Sequence, residues 1–125
     1  MIQTETILHI TDNSGIKKIR CLKILGSQKV YGFNGTVLCG SVNKLKHRKN
    51  KKIPFSRGNI VFVLIIQTKF FLRRIDGERV GFLRNAGVLV DNKLKPQANR
   101  IFNPLCSEFR KKRYAKLLSG ATSLV

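Results

Sequence analysis

The residues in this sequence with the clearest capacity for chemistry are its cations. The chain of 125 residues contains 25 Lys or Arg and six Asp or Glu, which gives a formal net charge of +19. The window from Asn13 to Ile75 holds 15 of these cations and no acid. Because fixed cations in a small fold repel one another unless an anion lies close by, the imbalance indicates a polyanionic partner, and nucleic acid is the favoured candidate.

These cations form clusters that different parts of the chain would present to a folded RNA. The densest, from Lys44 to Arg57, holds seven cations in a stretch whose Pro and Asn residues indicate a loop. A second, from Arg110 to Lys116, holds five. A merely solubilising surface is the weaker alternative, since solubility is served by mixed charge. The side chains predicted to contact RNA are Lys17, Lys18, Lys23, Lys44, Lys46, Arg48, Lys49, Lys51, Lys52, Arg57, Lys69, Arg73, Arg74, Arg110 and Arg113.

The aromatic residues are expected to pack in the core and not to stack on bases. The chain has eight Phe, two Tyr and no Trp. Five of the phenylalanines lie mostly in apolar contexts, namely Phe62, Phe70, Phe71, Phe82 and Phe102. We therefore predict that RNA is recognised by its shape, through phosphates and 2′-hydroxyls.

Catalysis and metal binding are not indicated. The sequence has no Gly-x-Ser-x-Gly elbow, no Gly-x-x-x-x-Gly-Lys phosphate loop and no His-Glu-x-x-His site. Asp76 and Glu78 flank a turn glycine, where a local salt bridge explains them better than acid–base chemistry. No Cys-x-x-Cys pair occurs, and neither histidine has a second ligand at metal-binding spacing. We predict that the protein is not an enzyme, has no catalytic residue, metal or cofactor, and keeps reduced thiols at Cys21, Cys39 and Cys106.

Neither a membrane span nor a targeting segment is predicted. The longest apolar run, Ile60 to Ile66, has seven residues, against the ~20 that a spanning helix requires. Residues 1–6 lack both the apolar stretch of a signal peptide and the Arg-rich character of a transit peptide. We therefore expect the chain to act in the compartment where it is made.

The elements that position the cations are mostly short strands separated by turns. Residues 6–11 are rich in β-branched types and precede the turn signal of residues 12–15. Residues 16–25 predict a strand covered on both faces, with Arg20, Leu22 and Ile24 on one and Ile19, Cys21 and Leu25 on the other. Glycines around Val30 and Tyr31 predict a projecting ribbon. Further strands are predicted at 36–42, 59–68, 80–82 and 86–90, with a tight turn at Asp76-Gly77.

Together these patterns predict a single domain spanning residues 1–125. Many short strands favour a small closed β-barrel, because closure removes exposed strand edges. After Pro104 the apolar residues at 105, 109, 114, 117 and 118 form an imperfect helical stripe, which predicts one or two short helices. The barrel, ribbon and basic loop are thus assigned to 1–104, and a helical C-terminal appendage to 105–125.

Across its whole length the chain resembles the universal large-subunit ribosomal protein L-fourteen family. The family's motifs stand in order at Asp12-Asn13-Ser14-Gly15, Cys21-Leu22-Lys23-Ile24-Leu25-Gly26, Gln67-Thr68-Lys69, Arg73-Arg74, Asp76-Gly77, Asn85-Ala86, Arg100-Ile101-Phe102 and Lys116-Leu117.

This resemblance implies a five-stranded, OB-like barrel with a structural role in the large ribosomal subunit. It implies contacts with large-subunit rRNA, with neighbouring proteins of the L-three and L-nineteen families, and with small-subunit rRNA at inter-subunit bridges. Residues 44–57 and 69–74 would face RNA. A ribosome-silencing factor would dock near Arg100 and Lys116.

Departures from the family pattern share a direction, because acids have been lost. Gly35 and Gly58 are followed by Thr36 and Asn59 where the family usually has Asp, Leu83-Arg84 replaces Asp-Gly, and Asn103 replaces a Gly. The 15 Lys and nine Asn resemble the composition of proteins encoded by AT-rich organelle genomes. We predict an organelle-encoded protein of a mitochondrial ribosome, with bacterial cytoplasm or plastid as the alternative.

The competing functions are a free RNA-binding barrel, acting as RNA chaperone or translation factor, and a nucleic-acid-processing enzyme.

Overall fold

Seven strands are formed by the residues that the computed structural model describes, which are 1–26, 30–47 and 52–125. They are β1 (Ile7–Ile10), β2 (Ile16–Ile24), β3 (Val37–Leu45), β4 (Ile60–Gln67), β5 (Leu72–Arg73), β6 (Arg79–Val80) and β7 (Ala86–Val90). Five of them close into a barrel in the order β1-β2-β3-β4-β7. Neighbours are antiparallel except for β1 and β7, whose parallel pairing closes the barrel. The predicted mainly β, five-stranded barrel is confirmed.

The apolar run of β4 is continuous because both of its faces are buried. Val63 and Ile65 belong to a cluster that fills the barrel, together with Leu8, Ile19, Leu38 and Leu89. Leu64 and Ile66 face the other way, into an outer cluster with Ile101, Leu105, Phe109 and Leu117. Each fully buried aliphatic side chain contributes roughly 1.5–3 kcal/mol, so two clusters sharing one strand make β4 the centre of the fold.

The outer cluster is completed by the C-terminal segment, which lies over β4 and β7. It contains two 3₁₀ turns, Ser107–Phe109 and Lys112–Tyr114, followed by a short helix, α1 (Ala115–Ser119). The predicted short helices are confirmed. Of the predicted apolar stripe, Leu105, Phe109, Tyr114 and Leu117 are buried, and Leu118 is half-buried against the outer cluster.

In β2 the structure corrects the predicted pattern of faces. A β-bulge lies at Leu22, because Cys21 pairs with Gly40 while Lys23 pairs with the next residue, Cys39. The extra residue reverses the alternation, so Ile24 joins Ile19 in the barrel interior. Leu22 and Lys23 are exposed. The outer face of β2 is therefore uncovered, and the prediction of a strand buried on both sides is wrong.

The ribbon lies elsewhere than predicted. Near Val30 and Tyr31 the described residues form no strand, and Gly32 makes only an isolated bridge with Ile2; residues 27–29 lie outside the description. The two-stranded ribbon is instead β5 paired with β6. The predicted Asp76-Gly77 turn joins its strands, with Gly77 at a φ of +92° that favours glycine.

Two buried polar side chains tie the barrel together. Asp12 is 1% exposed and accepts hydrogen bonds from the Leu89 backbone N–H at 3.0 Å and the Ser14 N–H at 3.1 Å. This links the β1–β2 turn to β7. Gln67 donates to the carbonyl of Pro104 and accepts from the Asn103 side chain, both at 2.9 Å. Asn103, which stands where the family usually has Gly, thus satisfies a buried amide.

Candidate nucleic-acid interface

The uncovered outer face of β1, β2 and β3 carries basic side chains that lie opposite one another. In the strand register His9 pairs with Lys18, and Lys18 pairs with Lys44, so the three form one row across the sheet. Lys18 and Lys44 are like charges directly opposite each other on adjacent strands, an arrangement that destabilises a sheet. A phosphate placed over this row would convert the repulsion into attraction.

His9 is the centre of a denser group, here called the His9 patch and defined as His9, Lys17, Lys18, Lys69 and Arg84. The pKa of His9 is lowered by burial and then by the positive charges of Lys18, Arg84, Lys17 and Lys69. Asn85 holds the patch together, because its carbonyl accepts from the His9 N–H at 3.1 Å and its side-chain oxygen accepts from the Lys69 N–H at 3.0 Å. A neutral imidazole is thus surrounded by four fixed cations.

The ribbon supplies a second pair of opposed cations. Arg73 on β5 lies directly across from Arg79 on β6, and both are exposed. Arg79 and Arg84 were not predicted as RNA contacts. Arg84 carried a signal in the sequence, because it stands where the family usually has an acid-containing pair, whereas Arg79 could be found only from the strand register.

Arg74, predicted to face RNA, is engaged within the protein. Its guanidinium donates to the carboxylate of Glu108, to Ser107 Oγ at 2.9 Å and to the Val125 carbonyl, and it pairs with Glu78 at 3.4 Å. The hydrogen bond that Arg74 donates to Glu108 raises the pKa of Arg74, and the same bond lowers the pKa of Glu108. Arg74 therefore fastens the ribbon to the C-terminal segment, and its contact with RNA stays a prediction.

The basic loop begins in β3, which contains Lys44. Lys46 lies half-buried, donating from Nζ to the Asp12 carbonyl at 3.0 Å and lying 5.5 Å from the centre of the Phe102 ring. Lys52 and Arg57 are exposed. The predicted contacts Arg48, Lys49 and Lys51 lie outside the described residues.

The remaining predicted residues are exposed on or beside the C-terminal segment. Arg110 and Arg113 are exposed, and the Arg113 guanidinium lies 4.7 Å from the centre of the Tyr114 ring. Arg100 and Lys116, expected to contact a protein partner, are exposed too. They lie on adjacent segments, since the Ile101 N–H donates to the Gly120 carbonyl just after α1.

Three of the five phenylalanines predicted to pack in the core are at the surface. Phe70, Phe71 and Phe102 are 54%, 63% and 50% exposed. The prediction was wrong because it relied on apolar neighbours in the sequence. Those neighbours are buried in β4 or in the outer cluster, but the three rings come just after these buried segments and are not covered. Phe62 and Phe82 are half-buried against the outer cluster, as expected for packing residues.

The remaining functional groups are the cysteines and the candidate metal ligands. Within the described ranges no three His, Cys, Asp or Glu side chains are grouped so that they could hold a metal ion. Cys21, Cys39 and Cys106 are free thiols, and burial raises the pKa of Cys21 and Cys106. No helix in the described part of the chain is long and apolar enough to cross a membrane.

Comparison of the sequence with protein families gives a match. The family model described as "Ribosomal protein L14p/L23e" matches residues 1–125, the whole chain.

Proposed function

Since the chain belongs to the ribosomal protein L14p/L23e family of structural proteins of the large ribosomal subunit, we propose that it binds large-subunit rRNA through the His9 patch, the row from His9 to Lys44 and the basic loop. The observation that carries this proposal is the opposition of Lys18 and Lys44 on adjacent, uncovered strands beside the other cations of the His9 patch. Such an arrangement destabilises the free protein, and a bound phosphate backbone removes the repulsion and stabilises the complex.

The proposed binding surface follows from how the barrel is covered. Most of the outer faces of β4 and β7 is buried under the C-terminal segment, at Leu64, Ile66, Ala86, Val88 and Val90, and these parts are not available to a partner. The opposite side of the barrel is uncovered and bears Lys17, Lys23, Lys44 and Lys69 as exposed cations. Since phosphate contacts need only charge and reach, this side binds the RNA backbone and fixes the orientation of the protein.

A second basic surface allows contact with a second partner. Arg110 and Arg113 lie on the C-terminal segment, and we assign them to small-subunit rRNA at an inter-subunit bridge. Arg100 and Lys116, exposed on adjacent segments, are the proposed docking residues for a ribosome-silencing factor. Proteins of the L-three and L-nineteen families are the proposed neighbours.

We place the protein in a mitochondrial ribosome and propose that the organelle encodes it, with bacterial or plastid ribosomes as the alternative. The support is compositional: 15 Lys, nine Asn and few acids. Sequencing of purified mitochondrial DNA from the source organism tests this, and finding the gene only in nuclear DNA behind a presequence contradicts it.

The experiment that tests the main function is sedimentation. The full chain, carrying an epitope tag, is expressed in its source cells, and ribosomal subunits are separated on sucrose gradients at increasing salt. We expect the chain to remain with large subunits through moderate salt. Release at low salt into the soluble fractions would instead indicate the alternative, a free RNA chaperone or translation factor.

A further inference from the structure

A cleft of about 630 Å³ lies between the base of the ribbon, the loop at residues 33–36 and the 3₁₀ turns of the C-terminal segment. This volume is within the range of about 300–1,000 Å³ typical of pockets that enclose a small ligand. Its walls carry five aromatic rings, those of Phe33, Phe70, Phe71, Phe109 and Tyr114. The proposed rRNA contacts of the barrel do not use it.

The rings divide into a buried floor and an exposed wall. Phe109 and Tyr114 are 2% and 3% exposed and pack edge to face, with ring centres 5.0 Å apart. Phe33 and Phe70 also meet edge to face, at 5.8 Å, but both are about half exposed. An edge-to-face pair leaves ring surface free on each partner. The wall therefore presents aromatic faces that the protein itself does not cover.

Phe71 is the most exposed of the three wall rings. Its ring lies against Gly81, where an added Cβ atom would lie 2.6 Å from the nearest ring carbon. Only a residue without a side chain leaves room for the ring in this position. Exposed aromatic rings grouped in one cleft are typical of a binding surface.

The rim of the cleft is positive. Arg73, Lys111 and Arg113 line it and are exposed. The one acid on the lining, Glu108, has its carboxylate paired with Arg74. Aromatic faces next to exposed cations are the combination with which proteins hold unpaired nucleotides, since the rings stack on bases and the cations contact phosphates. An acidic peptide would satisfy the cations but would not need so many ring faces.

We propose that this cleft binds an unpaired RNA base, which stacks among Phe33, Phe70 and Phe71 while its flanking phosphates contact Arg73, Lys111 and Arg113. The inference rests on the proposed function and deepens it, because it adds single-stranded recognition to the backbone contacts of the barrel. It also revises the prediction from sequence that the phenylalanines take no part in binding.

The test uses a six-nucleotide single-stranded RNA of uridines with one central 2-aminopurine, whose fluorescence falls when it stacks. The full chain is titrated at several salt concentrations, and the Phe70→Leu/Phe71→Leu variant removes two rings while keeping apolar bulk. Phe102→Leu, which removes a half-exposed ring outside the cleft, is the matched control. Circular dichroism and urea unfolding verify that all three proteins are folded.

We expect wild type and Phe102→Leu to quench the 2-aminopurine fluorescence. The double variant should lose most of the quenching and bind about tenfold or more weakly, with an unchanged dependence of log Kobs on log salt, because stacking releases no counterions. Arg73→Gln/Lys111→Gln should reduce that salt dependence instead. Equal affinity and quenching in the double variant would overturn the proposal, as would equally strong binding of the same hexamer in a duplex.

Three further outcomes are decisive. Ring-dependent binding of the acidic peptide Glu-Phe-Asp-Leu-Glu, with RNA binding independent of the rings, would assign the cleft to a protein partner and overturn the proposal. If the double variant binds the hexamer as well as the wild type does, and the protein still binds large-subunit rRNA, the proposal for the cleft is refuted and the proposed function is not. A wild-type chain that binds neither RNA refutes the proposed function as well.

Discussion

Removing two cations of the His9 patch should weaken rRNA binding in a way that salt reveals. Lys69 and Arg84 are suitable because both are exposed and both act on His9 electrostatically. The control variant, Lys93→Ala/Lys95→Ala, removes two exposed cations from the turn after β7, at the opposite end of that strand. Both double variants lower the net charge from +19 by the same two units, so a difference between them reports position and not total charge.

The size of the effect follows from counterion release. Each lost phosphate contact reduces the slope of log Kobs against log salt by about 0.7–0.9, so Lys69→Ala/Arg84→Ala should reduce it by about 1.4–1.8. If the plots of log Kobs against log salt for the wild type and for this variant meet near 1 M salt, the variant binds about 25- to 60-fold more weakly than the wild type at 0.1 M salt. The control variant should leave the slope within experimental error. Filter binding of a large-subunit rRNA transcript between 0.05 and 0.3 M salt, roughly the range over which such slopes are measured, provides the data.

His9 offers an independent readout of the same patch. Its pKa lies below the ordinary value of 6.5 through burial and four cations, two of which the variant removes. We expect the pKa to rise in Lys69→Ala/Arg84→Ala and to stay unchanged in Lys93→Ala/Lys95→Ala, as followed by NMR titration of the His9 ring protons. Equal slopes in the two double variants, together with an unmoved His9 pKa, would refute the assignment of the patch to RNA.

Three predictions concern stability, each measured by unfolding of the full chain. Gly87→Ala should lower the free energy of unfolding by about 1–3 kcal/mol or more, because the new Cβ would lie 2.9 Å from a backbone carbonyl oxygen of β4. Asp12→Ala should cost about 1–3 kcal/mol by leaving the buried Leu89 N–H without its acceptor. Glu108→Gln should destabilise the protein at neutral pH only: the folded-state pKa of Glu108 is lowered by Arg74, so its contribution is present above the ordinary pKa of 4.5 and is lost as pH falls through the folded value.

Matched variants sharpen these three measurements. Ser41→Ala, on the outer side of β3, should leave the free energy of unfolding nearly unchanged. If it lowers that free energy as much as Gly87→Ala does, the predicted clash of the new Cβ with β4 is wrong. Asp12→Asn keeps an acceptor oxygen and should cost less than Asp12→Ala. The difference in melting temperature between wild type and Glu108→Gln should vanish at strongly acidic pH, and a constant difference would show that the carboxylate contributes through packing.

The sequence predicted those features that depend on local pattern. The apolar run of β4 predicted a strand, residues 12–15 predicted a turn, and the stripe from Leu105 to Leu118 predicted short helices. In each case the spacing of apolar or turn-forming residues alone determines the local structure. The basic surface followed from charge counts, which do not depend on the fold.

What could not be predicted depends on partners distant in the sequence. The bulge at Leu22 appears only in the register of β2 against β3, and it alone moves Ile24 into the core. The opposition of Arg73 and Arg79 is likewise a property of strand pairing. Phe70 and Phe71 are apolar and follow a buried strand, yet both are exposed, which their neighbours in the sequence do not indicate.

The parallel pairing of β1 with β7 has a consequence for biosynthesis. His9 pairs with Ala86, so β1 cannot pair with β7 until most of the polypeptide has emerged from the ribosome that synthesises it. Proteins dominated by such distant contacts fold in milliseconds to seconds, far more slowly than helical bundles. Until then the aliphatic run of β4 is unshielded in the nascent polypeptide, which makes prompt capture by a chaperone or by an assembling particle advantageous.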